Sequence, residues 1–126
     1  MTDARDPQAI HADMLVTLRD ALRAFAAERD WDQFHTPRNL AVALSVEAGE
    51  LLEQFQWMDE AASAQLPADK RLRIGEEMAD VLLYLIRLAD RLDVDLAAAA
   101  QRKLQLNAQK YPAEKVRGSS RKYDEY

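Results

Sequence analysis

The sequence predicts an all-α fold, a four-helix bundle assembled as a homo-oligomer. Between Pro7, Pro37, Pro67 and Pro112 nothing alternates with a strand's period of two, and apolar residues instead recur three and four positions apart. The run Val81 to Ile86 leaves its helix no polar face, so it needs cover on all sides. Four helices from 126 residues do not supply that cover alone, which points to a homodimer or homotetramer.

The elements follow in order. Asp6-Pro7 reads as a cap followed by proline at the first helical position, opening a helix to about Arg29 with Leu15, Leu18, Leu22 and Phe25 on one face. Asp30 to Thr36 breaks the pattern, and Thr36-Pro37 restarts it by the same logic, to about Trp57. Ala61 to Ala68 reads as a loop, Asp69 as the cap of a third helix over Lys70 to Leu92, and Asp95 as the cap of a fourth over Leu96 to Lys110. On the fourth, Lys103 and Asn107 share the side of Leu96 and Ala100, placing polar groups on an inward stripe. From Tyr111-Pro112 onward a basic tail shows turn chemistry around Gly118-Ser119-Ser120. A single domain spanning 1–126 is expected.

Composition narrows the function. A net charge of -5 argues against nucleic-acid polymers and anionic membranes as partners, because either needs a clearly basic surface. With no Cys there is no disulfide framework, thiolate nucleophile or zinc–thiolate site, and a reducing cytoplasm is the expected home. The first residues lack a signal peptide's apolar core, and the longest unbroken apolar run in the helices is too short to span a bilayer.

Chemistry concentrates in two stretches. At ~100° per residue, Leu40, Leu44, Ala48, Leu51 and Phe55 fall on one helical face, and Glu47 and Glu50 border it. In the next long helix Glu77 and Asp80 repeat the spacing, with Tyr84 one turn on. Residues three apart are neighbours on a helix, so each pair can converge its oxygens on one point. Four carboxylates beside an apolar face repel one another and lose hydration unless a cation joins them. Mg²⁺, which takes hard oxygen ligands and leaves positions for water and phosphate, meets that need. Gly49 and Gly75, each costing ~1 kcal/mol relative to Ala inside a helix, fit either a crowded site or close helix approach.

Two other readings use the same residues. A di-iron bundle requires Glu-x-x-His segments, and neither His11 nor His35 stands three residues after a Glu. A non-catalytic helical interaction module would use the acidic pairs to bind basic partner helices and the aromatics as a docking surface.

Glu47-Ala48-Gly49-Glu50, followed after 26 residues by Glu77-Met78-Ala79-Asp80, resembles the ExxE and ExxD signature of the all-α nucleoside triphosphate pyrophosphohydrolases, the MazG-like superfamily. Further landmarks resemble its dCTP pyrophosphatase branch: Ala26-Ala27-Glu28-Arg29-Asp30-Trp31, Gln33-Phe34-His35, Pro37-Arg38-Asn39-Leu40, Phe55-Gln56-Trp57, Tyr111-Pro112 and Arg117-Gly118-Ser119. The resemblance runs from about Leu15 to Tyr123. One departure is Leu22, which stands where vertebrate members of the branch carry a histidine near the base pocket; it implies wider pyrimidine tolerance.

The resemblance implies hydrolysis of a deoxynucleoside triphosphate between the α and β phosphates, with dCTP or 5-modified dCTP as the substrate and dUTP or another triphosphate as the alternative. It implies Mg²⁺ on Glu47, Glu50, Glu77 and Asp80, with Glu47 or Glu50 taking the water's proton. Trp31, Trp57 and Tyr84 become surfaces for base stacking, and His35 a partner for a base edge. Lys103, Asn107, Arg117 and Lys122 become phosphate or sugar contacts.

Overall fold

Thr36 illustrates how local chemistry sets the element boundaries: its hydroxyl accepts from the Asn39 N–H at 3.2 Å, and Pro37 occupies the first helical position. The computed structural model describes residues 12–121 and 123–125. They form α1 (Ala12–Glu28), α2 (Pro37–Glu53), α3 (Glu60–Ala64), α4 (Ala68–Arg91), α5 (Leu96–Lys110) and α6 (Ala113–Val116), with single 3-10 turns at Asp32–Phe34 and Tyr123–Glu125. No strand occurs among the described residues. The four long helices are the predicted four; the Asp6-Pro7 cap lies outside the described residues.

Several boundaries differ from expectation. After Glu53 the backbone tightens into i→i−3 bonds, Gln54 N–H to Leu51 O and Phe55 N–H to Leu52 O, so α2 stops a turn before Trp57. The expected loop from Ala61 holds α3 instead, because the Asp59 carboxylate accepts from the Ala62 N–H at 2.7 Å and caps an alanine-rich turn. Asp69 sits inside the first turn of α4, whose opening bond runs from the Arg71 N–H to the Pro67 carbonyl; there its charge complements the helix dipole. Asp95 caps α5 as expected, accepting from Ala98 N–H at 3.0 Å. The tail forms the one-turn α6 before Gly118 turns the chain at φ 76°.

Helices α1 and α4 end in the same way without glycine. Asp30 and Asp93 both adopt φ 55°, and the next residue's N–H reaches back to a carbonyl five positions earlier, Trp31 to Ala26 and Val94 to Ala89. Aspartate tolerates the left-handed region better than most side chains. The two residues whose carbonyls accept in this motif, Ala26 and Ala89, are both buried, so the sharp turns stand directly over the core.

Helix α4 is the central rod, packed most extensively against α2, then against α1, while α5 leans on α1. Among the described residues the core is small: Ala26, Leu40, Ile74, Ile86 and Ala89. One charged side chain among the described residues, Arg87, is buried with them. The α1–α4 contact is tied by Arg23, which donates two hydrogen bonds to the Asp90 carboxylate. That bonding, more than burial opposes it, holds the Asp90 carboxyl below its ordinary range. Large apolar side chains remain exposed on α2 (Val42, Val46, Leu52), on α4 (Leu72, Met78, Leu82, Leu85) and on α5 (Leu104, Leu106). Close helix approach does not account for the helical glycines within this chain, since a Cβ at Gly49 or Gly75 would meet nothing within 4 Å. No helix among the described residues is long and apolar enough to cross a membrane.

Candidate active site

The packing of α2 on α4 brings the acidic edges of both helices face to face. Glu47, Glu77 and Asp80 each place one carboxylate oxygen so that all three lie within 4.8 Å of one another. Glu50 stands beside Glu47 and Glu77, its charge and hydrogen bonding acting on both. All four sequence-predicted carboxylates therefore meet across one interhelical seam.

Their electrostatics are those of an uncompensated group. The Oε2 atoms of Glu47 and Glu77 are buried and have no hydrogen-bond partner. Desolvation raises the carboxyl pKa of Glu47 above 4.5, reinforced by a hydrogen bond with Glu50 and by the charges of Glu50, Asp80 and Glu77. Glu77 is raised as well, first by desolvation and then by the charges of Glu50 and Asp80. Buried oxygens of this kind are normally partnered, and leaving them bare costs free energy. No basic side chain forms an ion pair with these acids among the described residues. Hard oxygens converging in this way fit a divalent cation such as Mg²⁺.

Asp80 also opens onto a cavity of about 490 Å³ between α1, α4 and the Asp32–Phe34 turn. Its walls are mainly apolar, with Leu18, Leu22 and Phe25 from α1, Trp31 and His35 from the connector, and Leu83, Tyr84 and Arg87 from α4. The volume lies in the range of small-molecule sites. Phe25 meets Trp31 edge-on at 5.7 Å between ring centroids, Trp31 meets His35 at 6.2 Å, and the Arg29 guanidinium caps the Phe25 ring at 3.6 Å. A second hollow of about 270 Å³, near the α4–α5 turn, contains none of the sequence-predicted site residues.

The connector is held from α4. Arg87 donates from Nε to His35 Nδ1 at 3.1 Å and from Nη2 to Asp32, and Arg91 Nε donates to the His35 carbonyl at 3.0 Å. Burial lowers the His35 pKa below 6.5, and the Arg87 charge lowers it further.

Trp31, His35 and Tyr84 thus share one cavity, and Asp80 joins it to the acids. Trp57, Lys103, Asn107 and Arg117 do not line it. Trp57 is 90% exposed, a consequence of α2 ending early. The expected inward stripe on α5 is corrected: Lys103 and Asn107 are exposed, because α5 touches α1 alone to any extent and buries no residue. Arg117 is exposed beyond α6, and Lys122 lies outside the described residues. Sequence reasoning passed over Arg87 and Asp32. The spacing of Asp80, Tyr84 and Arg87, four and then three, does put them on one face of α4, but Arg87 reads as an ordinary surface cation until the fold buries it.

The profile of the MazG-like family matches residues 42–126, two thirds of the chain, including all four acids. The chain belongs to the MazG-like family. Among curated relatives of this MazG-like chain, human dCTP pyrophosphatase 1 is 49% identical over 114 residues, covering 86% of this chain and 67% of that protein. The rat dCTP pyrophosphatase 1 is 50% identical over 113 residues, covering 85% and 66% respectively. A crystal structure of a pyrophosphatase from Archaeoglobus fulgidus superposes with a TM-score of 0.64 at 38% identity, covering 79% of this chain and 93% of that one.

Proposed function

We propose that this MazG-like chain is a nucleoside triphosphate pyrophosphohydrolase that hydrolyses deoxynucleoside triphosphates, dCTP or a 5-modified dCTP above others, to the monophosphate and pyrophosphate. The observation that carries the reading is the shared position of Asp80, which belongs at once to the acidic seam and to the wall of an aromatic cavity. A nucleotide has those two halves in that order, a flat base and a polyanion. The dCTP pyrophosphatases at 49–50% identity support the choice of substrate.

Each residue then has a role. Glu47, Glu77 and Asp80, with Glu50 beside them, would hold Mg²⁺, which would supply positive charge to offset that of the phosphates and Lewis acidity toward a phosphoryl oxygen. Glu47 or Glu50 takes the proton of the attacking water in this reading, and the exposure of Glu50 outside the three-oxygen group supports Glu50. Trp31 and Tyr84 sandwich or edge the base, and His35 addresses its polar edge. Trp31→Ala is expected to raise KM for dCTP by about 10-fold, the ~1 to 3 kcal/mol of a lost stacking surface, with a smaller change in kcat. Steady-state kinetics check it, and an unchanged KM would remove Trp31 from the base site.

A homo-oligomer completes the proposal. The exposed apolar residues of α2, α4 and α5 and the open space over Gly49 and Gly75 leave room for a second copy. Trp57, Lys103, Asn107 and Arg117, absent from the cavity of their own chain, become substrate contacts if a neighbouring copy presents them. The test is a triphosphate panel with and without Mg²⁺, run on protein whose mass is measured by light scattering. Pyrophosphate release only with Mg²⁺, greatest with dCTP, from a dimer or tetramer is the expected result. Release from none of the nucleotides would favour the interaction module, and dUTP exceeding dCTP would move the substrate.

A further inference from the structure

We propose that Arg87 is a positioning residue for base selection: by donating to His35 Nδ1 it locks the imidazole as an Nε2–H donor, which suits cytosine and opposes uracil or thymine. This rests on the nucleotide reading of the cavity and extends it to a residue that touches no reacting atom.

Arginine has donors only, so a hydrogen bond from Arg87 Nε at 3.1 Å requires Nδ1 of His35 to be the acceptor. In a neutral imidazole the proton must then sit on Nε2. Arg87 is itself committed, being only 5% exposed, with Nη2 on Asp32 and Nη1 at 3.5 Å from Asp90. Asp90 in turn is gripped by Arg23 from α1. Arg91, one turn along α4, fixes the His35 carbonyl. Ring and backbone of one histidine are therefore set by two arginines of the central helix, and α1 braces the first of them. Burying a guanidinium is costly unless its donors are used; here the use is to fix the direction of one hydrogen bond at the cavity wall.

The chemical consequence is selective. Cytosine presents N3 as a bare acceptor, whereas N3 of uracil and thymine carries hydrogen; O2 is an acceptor in all three, so the discrimination is made at N3. A histidine free to change tautomer can meet N3 of either base; one held as an Nε2–H donor meets N3 of cytosine and opposes the N3–H of uracil or thymine. A site whose polar group opposes the wrong base discriminates more strongly than one that differs in shape alone.

Long-range proton–nitrogen spectra of histidine-labelled protein, with His11 identified through a His11→Gln variant, read the tautomer directly. His35 is expected to be neutral at pH 7 with its proton on Nε2; a proton on Nδ1, or an imidazolium at that pH, overturns the proposal. Arg87→Met is expected to populate both tautomers and to lower the dCTP to dUTP ratio of kcat/KM by about 10-fold, through KM, with kcat for dCTP within about twofold. An unchanged ratio, or a loss confined to kcat, overturns it. Should Arg87→Met fail to fold, Arg87→Lys keeps a charge between Asp32 and Asp90 without the planar fork that also reaches the ring, and the same two changes are expected. Wild-type protein that hydrolyses no triphosphate would overturn the functional reading, while the histidine spectrum separately reports whether Arg87 holds the ring.

Discussion

Glu77→Gln is expected to reduce turnover by about 10³-fold while leaving the metal-free protein at least as stable as wild type at neutral pH. The two effects have one cause. Glu77 Oε2 is buried without a partner, and its carboxylate faces those of Glu50 and Asp80. The amide is nearly isosteric, removes a charge from a repelling group, and is a poor ligand for a hard cation.

The sign of the pH dependence follows. Glu47 and Glu77 have native pKa values raised above 4.5, so the native chain retains protons that the unfolded chain has released. The metal-free wild type should therefore lose stability as pH rises from about 4.5 through those raised values. Glu77→Gln should lose less across the same window, and Mg²⁺ should raise the melting temperature of the wild type far more than that of the variant. Melting scans in chelator and in Mg²⁺, paired with a pyrophosphate-release assay, check all three points. Wild-type turnover, or equal stabilisation of both proteins by Mg²⁺, would remove Glu77 from the metal site.

Leu40→Ala is expected to cost ~2 to 5 kcal/mol of stability, because it opens a cavity that the surrounding side chains fill incompletely. Leu40 is 2% exposed and is the largest side chain among the described residues to be so fully enclosed. It lies two turns before Glu47 in α2, the helix that packs most extensively on α4. Loosening that contact should also raise the Mg²⁺ concentration needed for half-maximal rate, while saturating Mg²⁺, by drawing the acids of both helices together, restores kcat to within a few-fold. Denaturant unfolding at fixed protein concentration and a Mg²⁺ titration of the rate provide the measurements. A loss below ~1 kcal/mol would show that other contacts hold α2 in place.

Much of this protein was readable in the order of its residues. Thr36-Pro37 and Asp95 open helices through bonds made within a single turn, so neighbouring residues are sufficient to place them. The three-residue spacing of Glu47 with Glu50 and of Glu77 with Asp80 was equally legible, since it depends only on the pitch of a helix. The end of α2 was not, because Gln54 to Trp57 keep helical propensity while their bonds tighten. Lys103 and Asn107 were misplaced for a related reason: periodicity reports that a helix has two sides and is silent on how much of either a neighbour covers.

By itself, then, the sequence determined the four long helices, the caps at Thr36 and Asp95, the two acidic pairs and the family to which they belong, all properties that act over one or two turns or are carried by residue identity. Tertiary structure alone decided that Glu47, Glu77 and Asp80 converge within 4.8 Å, that Asp80 also opens onto an aromatic cavity, and that Arg87 is buried against His35. The last of those relations joins residues 52 positions apart. Distances across such separations come from the packing of one rod on another, which no local pattern encodes.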